Sequence, residues 1–242
     1  PKIDGQIWFL ISCDGQVIFA NPRGKIISGK IPFVVEATAT IGSRSRGCTV
    51  VAGELFALGK RPRVGDITSM LGENGDVRRI CFSAFDLLQG GDNQSPECSE
   101  DYGERYSALE RLLDGGKRVK PIKTEVCTTA AEVSKLFSEW AEGEKANAEG
   151  VIARNAQGHI FKIKPQFNID LAVVGYTQRS ESPDQVRSLL LALMREDGSF
   201  QLVGSCGNLG TDDNRRALHK QLESSIKPSN FRYASGSGAV YK

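Results

Sequence analysis

Five side chains in recurring strand-end motifs could together do chemistry: Lys2 in KIDG, Glu54 in AGEL, Glu149 in AEGVI, and Lys162 and Lys164 in FKIKP. An amine can act as a nucleophile, an acid can hold a divalent cation through oxygen ligation, and further cations can neutralise phosphate oxygens. Those are the parts of a phosphoryl or nucleotidyl transfer site, where positioning and charge neutralisation dominate. Attack on phosphorus needs a neutral amine, and an unperturbed lysine at ~10.4 leaves roughly one in a thousand deprotonated near neutral pH. Two neighbouring lysines and a Mg²⁺ held by Glu149 would each disfavour an ammonium beside them. Lysines that merely track a nucleic-acid backbone have no use for the two acids.

The elements that must position these groups are legible from patterning. IWFLI, CDGQ and VIFA read as two β runs joined by an Asp-Gly turn, which places Lys2 at the mouth of a sheet. TVVAGELFAL and VRRICFSAFDLL are two more strands, rich in β-branched and aromatic residues and separated by the turn-rich LGENGD. ERYSALERLLDGG spaces Tyr106, Leu109, Leu112 and Leu113 as a helix ending in glycines. TTAAEVSKLFSEW carries Thr129 and Glu132 in capping-box spacing, and its stripe of Val133, Leu136, Phe137 and Trp140 is expected to be core. GVIARNAQGHIFKIKP reads as a hairpin around NAQG, bracketed by Glu149 and the two lysines. At i, i+2 on a strand, Lys162 and Lys164 share one face. After Pro165 the strand-like LAVVGYT, SLLLALM and QLVGSC, a turn at Asp197-Gly198 and the amphipathic RRALHKQLESS suggest a small barrel. QFNID is the candidate linker.

Bulk properties exclude other classes. The 242 residues suit two modest domains, and 40% apolar with 25% charged residues is ordinary for a chain that buries a core. No apolar run approaches the ~20 residues of a membrane span. The chain begins PKIDGQ, with neither an initiator methionine nor a signal peptide, and reads as a fragment or processed form. Six scattered cysteines without a CxxC pair, and only His159 and His219, argue against structural zinc. Lone cysteines such as Cys81 read as small core residues of a reducing, intracellular compartment. Without GxSxG and with two histidines, a serine or cysteine hydrolase is a poor fit. A net charge of +2 does not announce nucleic acid; basicity is local, around Arg44 and Arg46, around Lys60, Arg61 and Arg63, and around Lys117, Arg118, Lys120 and Lys123.

The ordered series KIDG, NPRGK, AGEL, FSAFDLL, AEGVI and FKIKP resembles the motifs of the covalent nucleotidyltransferase superfamily, which comprises ATP-dependent DNA ligases, RNA ligases and mRNA capping enzymes. The tail from LAVVGYTQ to VGSCGNLG looks most like the OB domain of ATP-dependent DNA ligases. The resemblance implies an α+β chain: an ATP-grasp-like adenylation domain with antiparallel sheets and flanking helices over residues 1–167, then an OB-fold-like β-barrel over residues 168–242. It implies that Lys2 forms a covalent lysyl-AMP. Gly5 completes the motif by allowing close backbone approach, and Asp4 shapes its loop. Arg23 would contact ribose and phosphates, Glu54 ribose or metal, and Phe85 would stack on adenine, although a phenylalanine on such a strand otherwise reads as core. Glu149 would associate with the metal, and Lys162 and Lys164 would sit at the α-phosphate. ATP, Mg²⁺ and nicked duplex DNA, bound by a monomer, are the implied partners. Two departures stand out: Ile7, where DNA ligases often have arginine, and Ala52, where an acid usually precedes GEL. Ile7 keeps RNA ligase and capping guanylyltransferase as rivals. A catalytically silent OB-type nucleic-acid-binding module is the rival of another class.

Overall fold

The computed structural model describes residues 1–42, 47–59, 64–90, 99–142, 146, 148–155, 159–234 and 240–241. The basic clusters around Arg44 and Lys60, Cys98, and three residues of the NAQG turn lie outside them. The chain divides into two compact units, Pro1–Gln166 and Phe167–Lys242.

The first unit is built on a six-stranded sheet. Strand β1 (Gln6–Cys13) returns as β2 (Gln16–Ala20) through Asp14 and Gly15, whose φ values of 50° and 78° give the tight turn the twist a hairpin needs. With β3 (Ile26–Ile27), β4 (Cys48–Ala57), β5 (Ile80–Gln89) and β6 (Val119–Pro121), the order is β3-β2-β1-β4-β5-β6. Pairing is antiparallel except for β5 with β6, a departure from the all-antiparallel expectation. Helices α1 (Pro32–Ile41), α2 (Val64–Met70) and α3 (Tyr102–Leu112) supply Phe33, Ile67 and Leu109 to one core with Trp8, Leu10, Phe19, Leu55 and Phe82 of the sheet. Phe19 meets Phe33 and Phe82 edge-on at 4.8 and 5.0 Å, a geometry worth ~0.5–1.5 kcal/mol per pair beyond burial. Along β4 the alternation leaves Glu54 half-buried on the face away from this core.

Neither α1 nor α2 is expected from the sequence, because PFVVEATATI is rich in β-branched residues. Pro32 at the first turn and the burial of Phe33, Val34, Ala37 and Ile41 on one stripe account for α1. Its Glu36 carboxylate accepts the backbone N–H groups of Lys117, Arg118 and Val119, tying the helix to the edge strand β6.

Helix α4 (Ala130–Phe137) begins with the expected capping box between Thr129 and Glu132 and ends in a π turn over Ser138–Glu142. Its apolar stripe is not core: Val133, Leu136, Phe137 and Trp140 are only half-buried, because α4 lies outside the cluster that packs on the sheet. The pair β7 (Val151–Arg154) and β8 (Ile160–Ile163) forms a separate antiparallel hairpin. Cys13 and Cys48 are not lone core residues, since they face each other across β1 and β4 with Cα atoms 4.3 Å apart and their sulfurs bonded. A sequence separation of 35 residues gives no local sign of that pairing. Cys81 is free and buried, as expected.

In the second unit, β9 (Ala172–Arg179), β10 (Ser182–Met194) and β11 (Phe200–Cys206) form an antiparallel sheet in the order β11-β10-β9. Helix α5 (Asp212–Glu223) starts at the N-cap Thr211, and β12 (Tyr233–Ala234) pairs with β13 (Val240–Tyr241). Val186, Leu190, Ala192 and Tyr241 are its buried apolar centre. Among the described residues the sheet is open, so the closed barrel expected from the strand pattern is not found: three strands leave two edges unpaired. Among the described residues no helix is long and apolar enough to cross a membrane.

Candidate active site

Lys2 and Glu149 meet although KIDG and AEGVI lie at opposite ends of the first unit. The N–H of Lys2 donates to the Gly150 carbonyl at 2.7 Å, and the N–H of Glu149 donates to the Lys2 carbonyl at 2.8 Å, making an antiparallel bridge. That bridge sets the side chains together: the Lys2 ammonium pairs with one oxygen of Glu149 and the Lys164 ammonium with the other. Burial acts to raise the Glu149 pKa, but hydrogen bonds from Lys164 and Lys2 outweigh it and hold the carboxyl below its usual range. The hydrogen bond to Glu149 raises Lys164 in turn. The lysines thus meet across a carboxylate rather than crowding one another.

Glu54 lies opposite Ile7 on β1 and Ser83 on β5. Its pKa is pushed up to about 7: burial raises it most, Lys2 and Lys162 act to lower it, and Asp4 and Glu149 to raise it. Glu54 therefore sits within electrostatic reach of four other residues selected from the sequence. Gly5 packs directly on this strand; a Cβ there would lie 2.4 Å from the Leu55 carbonyl oxygen and 2.7 Å from the Glu54 Cγ.

Phe85 is placed by a β-bulge. Ala84 pairs with Gly53 and Asp86 with Ala52, leaving Phe85 as the extra residue of β5. The bulge resets the strand's alternation, so that Ala84 and Leu87 both join the core while the half-buried Phe85 does not. Arg23 is not brought to the other groups by any side-chain contact. It sits in the exposed β2–β3 turn, where Asn21 Oδ1 accepts its backbone N–H at 3.0 Å, and its guanidinium forms no ion pair with any described residue.

Sequence reasoning misses the residues that make these approaches possible. A Cβ on Gly150 would stand 2.1 Å from the Ile163 carbonyl oxygen, so only glycine lets Glu149 lie beside Lys164. A Cβ on Gly53 would stand 2.3 Å from the Phe82 ring, so glycine is what seats β4 beside β5 next to Glu54. Both glycines are in the motif strings, which is the signal that could have found them. Asp86 and Arg154 carry no signal in isolation; they meet only in the fold, with 3.6 Å between Nη1 and Oδ2.

Among the described residues no three His, Cys, Asp or Glu side chains form a metal cage. Glu54 and Glu149 could hold one cation between protein and substrate, which suits Mg²⁺, since it takes one or two carboxylates and completes its shell with water and phosphate.

An amine paired with one acid, a second lysine on that acid and a second acid in the same field is an arrangement that could serve phosphoryl or nucleotidyl transfer. The comparisons with known proteins carry this further: the chain resembles ATP-dependent DNA ligases. It is 32% identical over 146 residues to DNA ligase C of Mycobacterium tuberculosis, covering 57% of this chain and 40% of that protein. The chain spans about two-fifths of the length of the curated DNA ligase C relatives it matches. Its fold is that of the solved structure Pmar-Lig_PreS3, with a TM-score of 0.70 at 16% identity over 99% of this chain and 60% of that one. A mycobacterial DNA ligase D complexed with ATP and MES aligns at a TM-score of 0.51 and 18% identity, covering 99% of this chain and 77% of that one. No family model matches.

Proposed function

We propose that this chain is the catalytic core of an ATP-dependent DNA ligase that acts as an intracellular monomer in repair or replication and seals 5′-phosphate/3′-hydroxyl nicks in duplex DNA. The observation that carries the reading is the Glu149 carboxylate held between Lys2 and Lys164 with Glu54 in the same field. A silent binding module needs cations alone, whereas here Glu149 pairs with two lysines and Glu54 lies within the field of Lys2 and Lys162. The likeness to DNA ligase C, and the ATP bound by the mycobacterial ligase D of similar fold, favour ATP and DNA over the capping and RNA alternatives.

In the first step the lone pair of Lys2 Nζ attacks the α-phosphorus of ATP, a phosphoramide bond forms, and the bond to pyrophosphate breaks. Lys2 must first leave its ion pair with Glu149 and give up a proton. Lys162 and Lys164, exposed at the β8 edge, neutralise the phosphate oxygens, and Phe85 stacks on the adenine. Mg²⁺, held by Glu54 and Glu149, supplies charge neutralisation on the phosphates when bound. AMP then passes to the 5′-phosphate at the nick, and the 3′-hydroxyl displaces it. Lys117, Lys120 and Lys123, all exposed, offer phosphate contacts that position the duplex without reading its sequence.

Incubation with labelled ATP and Mg²⁺, followed by a denaturing gel and peptide mass spectrometry, tests this. AMP is expected on Lys2 and absent from Lys2→Ala; label that persists in the variant, or maps to Lys162, overturns the assignment. On nicked substrates, binding should weaken with salt with a logarithmic slope of about −0.9 per phosphate contact. Preference for RNA at the 3′-hydroxyl side would make the protein an RNA ligase, and labelling by GTP a capping enzyme.

A further inference from the structure

Resting on the ligase reading, we infer that Arg154 is a positioning residue: through Asp86 it fixes the hairpin bearing Glu149, Lys162 and Lys164 against the strand bearing Phe85. The hairpin β7–β8 is not hydrogen-bonded into the six-stranded sheet. Its backbone tie to the N-terminal segment is the Lys2–Gly150 bridge, at the start of β7. A two-stranded ribbon tied by its backbone at one end is set in orientation by whatever holds its other end. Arg154, the last residue of β7, supplies a second attachment roughly 13 Å further along, at ~3.3 Å per strand residue.

The chemistry of that attachment is specific. Asp86 is 7% exposed, and a carboxylate so buried needs partners. Arg105 already meets that need, since its Nε reaches Oδ1 at 2.8 Å and its Nη2 reaches Oδ2 at 3.3 Å. Arg154 approaches the same carboxylate only to 3.6 Å, so satisfying Asp86 is not what requires it. Its guanidinium instead lies 4.3 Å from the centre of the Tyr102 ring and 6.0 Å from that of Phe85. The Tyr102 hydroxyl donates to the Phe85 carbonyl at 2.9 Å, which anchors the bulge that aims this ring. Asp86 and Tyr102 therefore hold Arg154 from β5 and α3, and Arg154 carries that position into β7. The group that binds the base and the groups that bind the phosphates are registered through one guanidinium, whose planar fork and stacking a lysine cannot reproduce.

The test is the rate of lysyl-AMP formation against ATP concentration for the wild type, Arg154→Met, Arg154→Lys, Asp86→Asn and the double variant Asp86→Asn/Arg154→Met, with melting temperatures in parallel. Arg154→Met should lower the rate at saturating ATP by tenfold or more, a loss larger than its change in KM. Arg154→Lys should recover part of that rate. Asp86→Asn also weakens the Arg105 pair, so the coupling is read from the double variant, whose loss should be smaller than the product of the two single losses because one contact is shared. Should Arg154→Met fail to fold, the lysine and asparagine variants, which conserve size, decide. Wild-type rate and KM in folded variants, or losses that simply multiply in the double variant, overturn the inference. A wild type that forms no adduct at all overturns the ligase reading, and this inference with it.

Discussion

Lys2 and Glu149, 147 residues apart, are joined twice: the Glu149 N–H reaches the Lys2 carbonyl oxygen at 2.8 Å, and the two side chains form an ion pair. The backbone link fixes where the acid sits whatever its side chain does. Its charge can therefore be removed without dismantling the site.

Glu149→Gln should lower the rate of Lys2 adenylation by on the order of a hundredfold, the usual loss when one preorganised charge-stabilising group leaves a reacting centre. Its melting temperature should move little. The carboxylate is one-third exposed and Lys164 nearly half exposed, and pairs of that kind contribute about 0–1 kcal/mol. Single-turnover labelling and a thermal melt measure the two effects separately, and a large loss of stability would show Glu149 to be structural.

Glu54 predicts an unusual pH dependence for the nucleotide-free protein. Its folded pKa of about 7 stands above the ordinary 4.5, so between those values the folded state binds more protons than the unfolded one. Stability should consequently fall as pH rises from about 4.5 to 7. Glu54→Gln should remove that part of the fall, which melting curves across the window would reveal as a shallower slope than in the wild type.

Phe85→Leu should weaken ATP binding by about 1 kcal/mol through lost stacking. Stability should be nearly retained, because Phe85 lies outside the main core and is only half-buried. Melts with and without ATP separate the roles: a smaller ligand-induced shift on an unchanged baseline is expected, and the reverse pattern would return Phe85 to a packing role.

Gly150→Ala places a methyl group against the Ile163 carbonyl oxygen, where 2.1 Å is far inside contact distance. The strands must part where Glu149 faces Lys164. Denaturant titration should show a cost of about 1–3 kcal/mol, as overpacking usually brings. Adenylation should suffer beyond that, and a fully active Gly150→Ala would mean that the Glu149–Lys164 contact is dispensable.

Local information was enough for much of this. The Asp14-Gly15 hairpin, the strands around Glu54 and Phe85, α3, the capping box of α4 and the β7–β8 hairpin all depend on period and turn chemistry within a few residues of chain. Such signals fail where a distant surface decides the outcome. The β-branched run Pro32–Ile41 becomes helix because its apolar stripe is buried against the sheet, and the stripe of α4 stays half-buried because no comparable surface covers it.

By itself, then, the sequence determined the inventory of the site: an amine, two acids and two paired cations in a fixed order, with glycines inside their motifs. Only the tertiary structure decided who meets whom. Lys2 pairs with Glu149 because a backbone bridge closes 147 residues of chain, Leu87 joins the core beside Ala84 because one extra residue shifts a strand's register, and Arg154 finds Asp86 although the two lie on separate sheets. Each of these is a long-range contact, whose free energy comes from burial and charge gathered from distant segments, and no local periodicity encodes it.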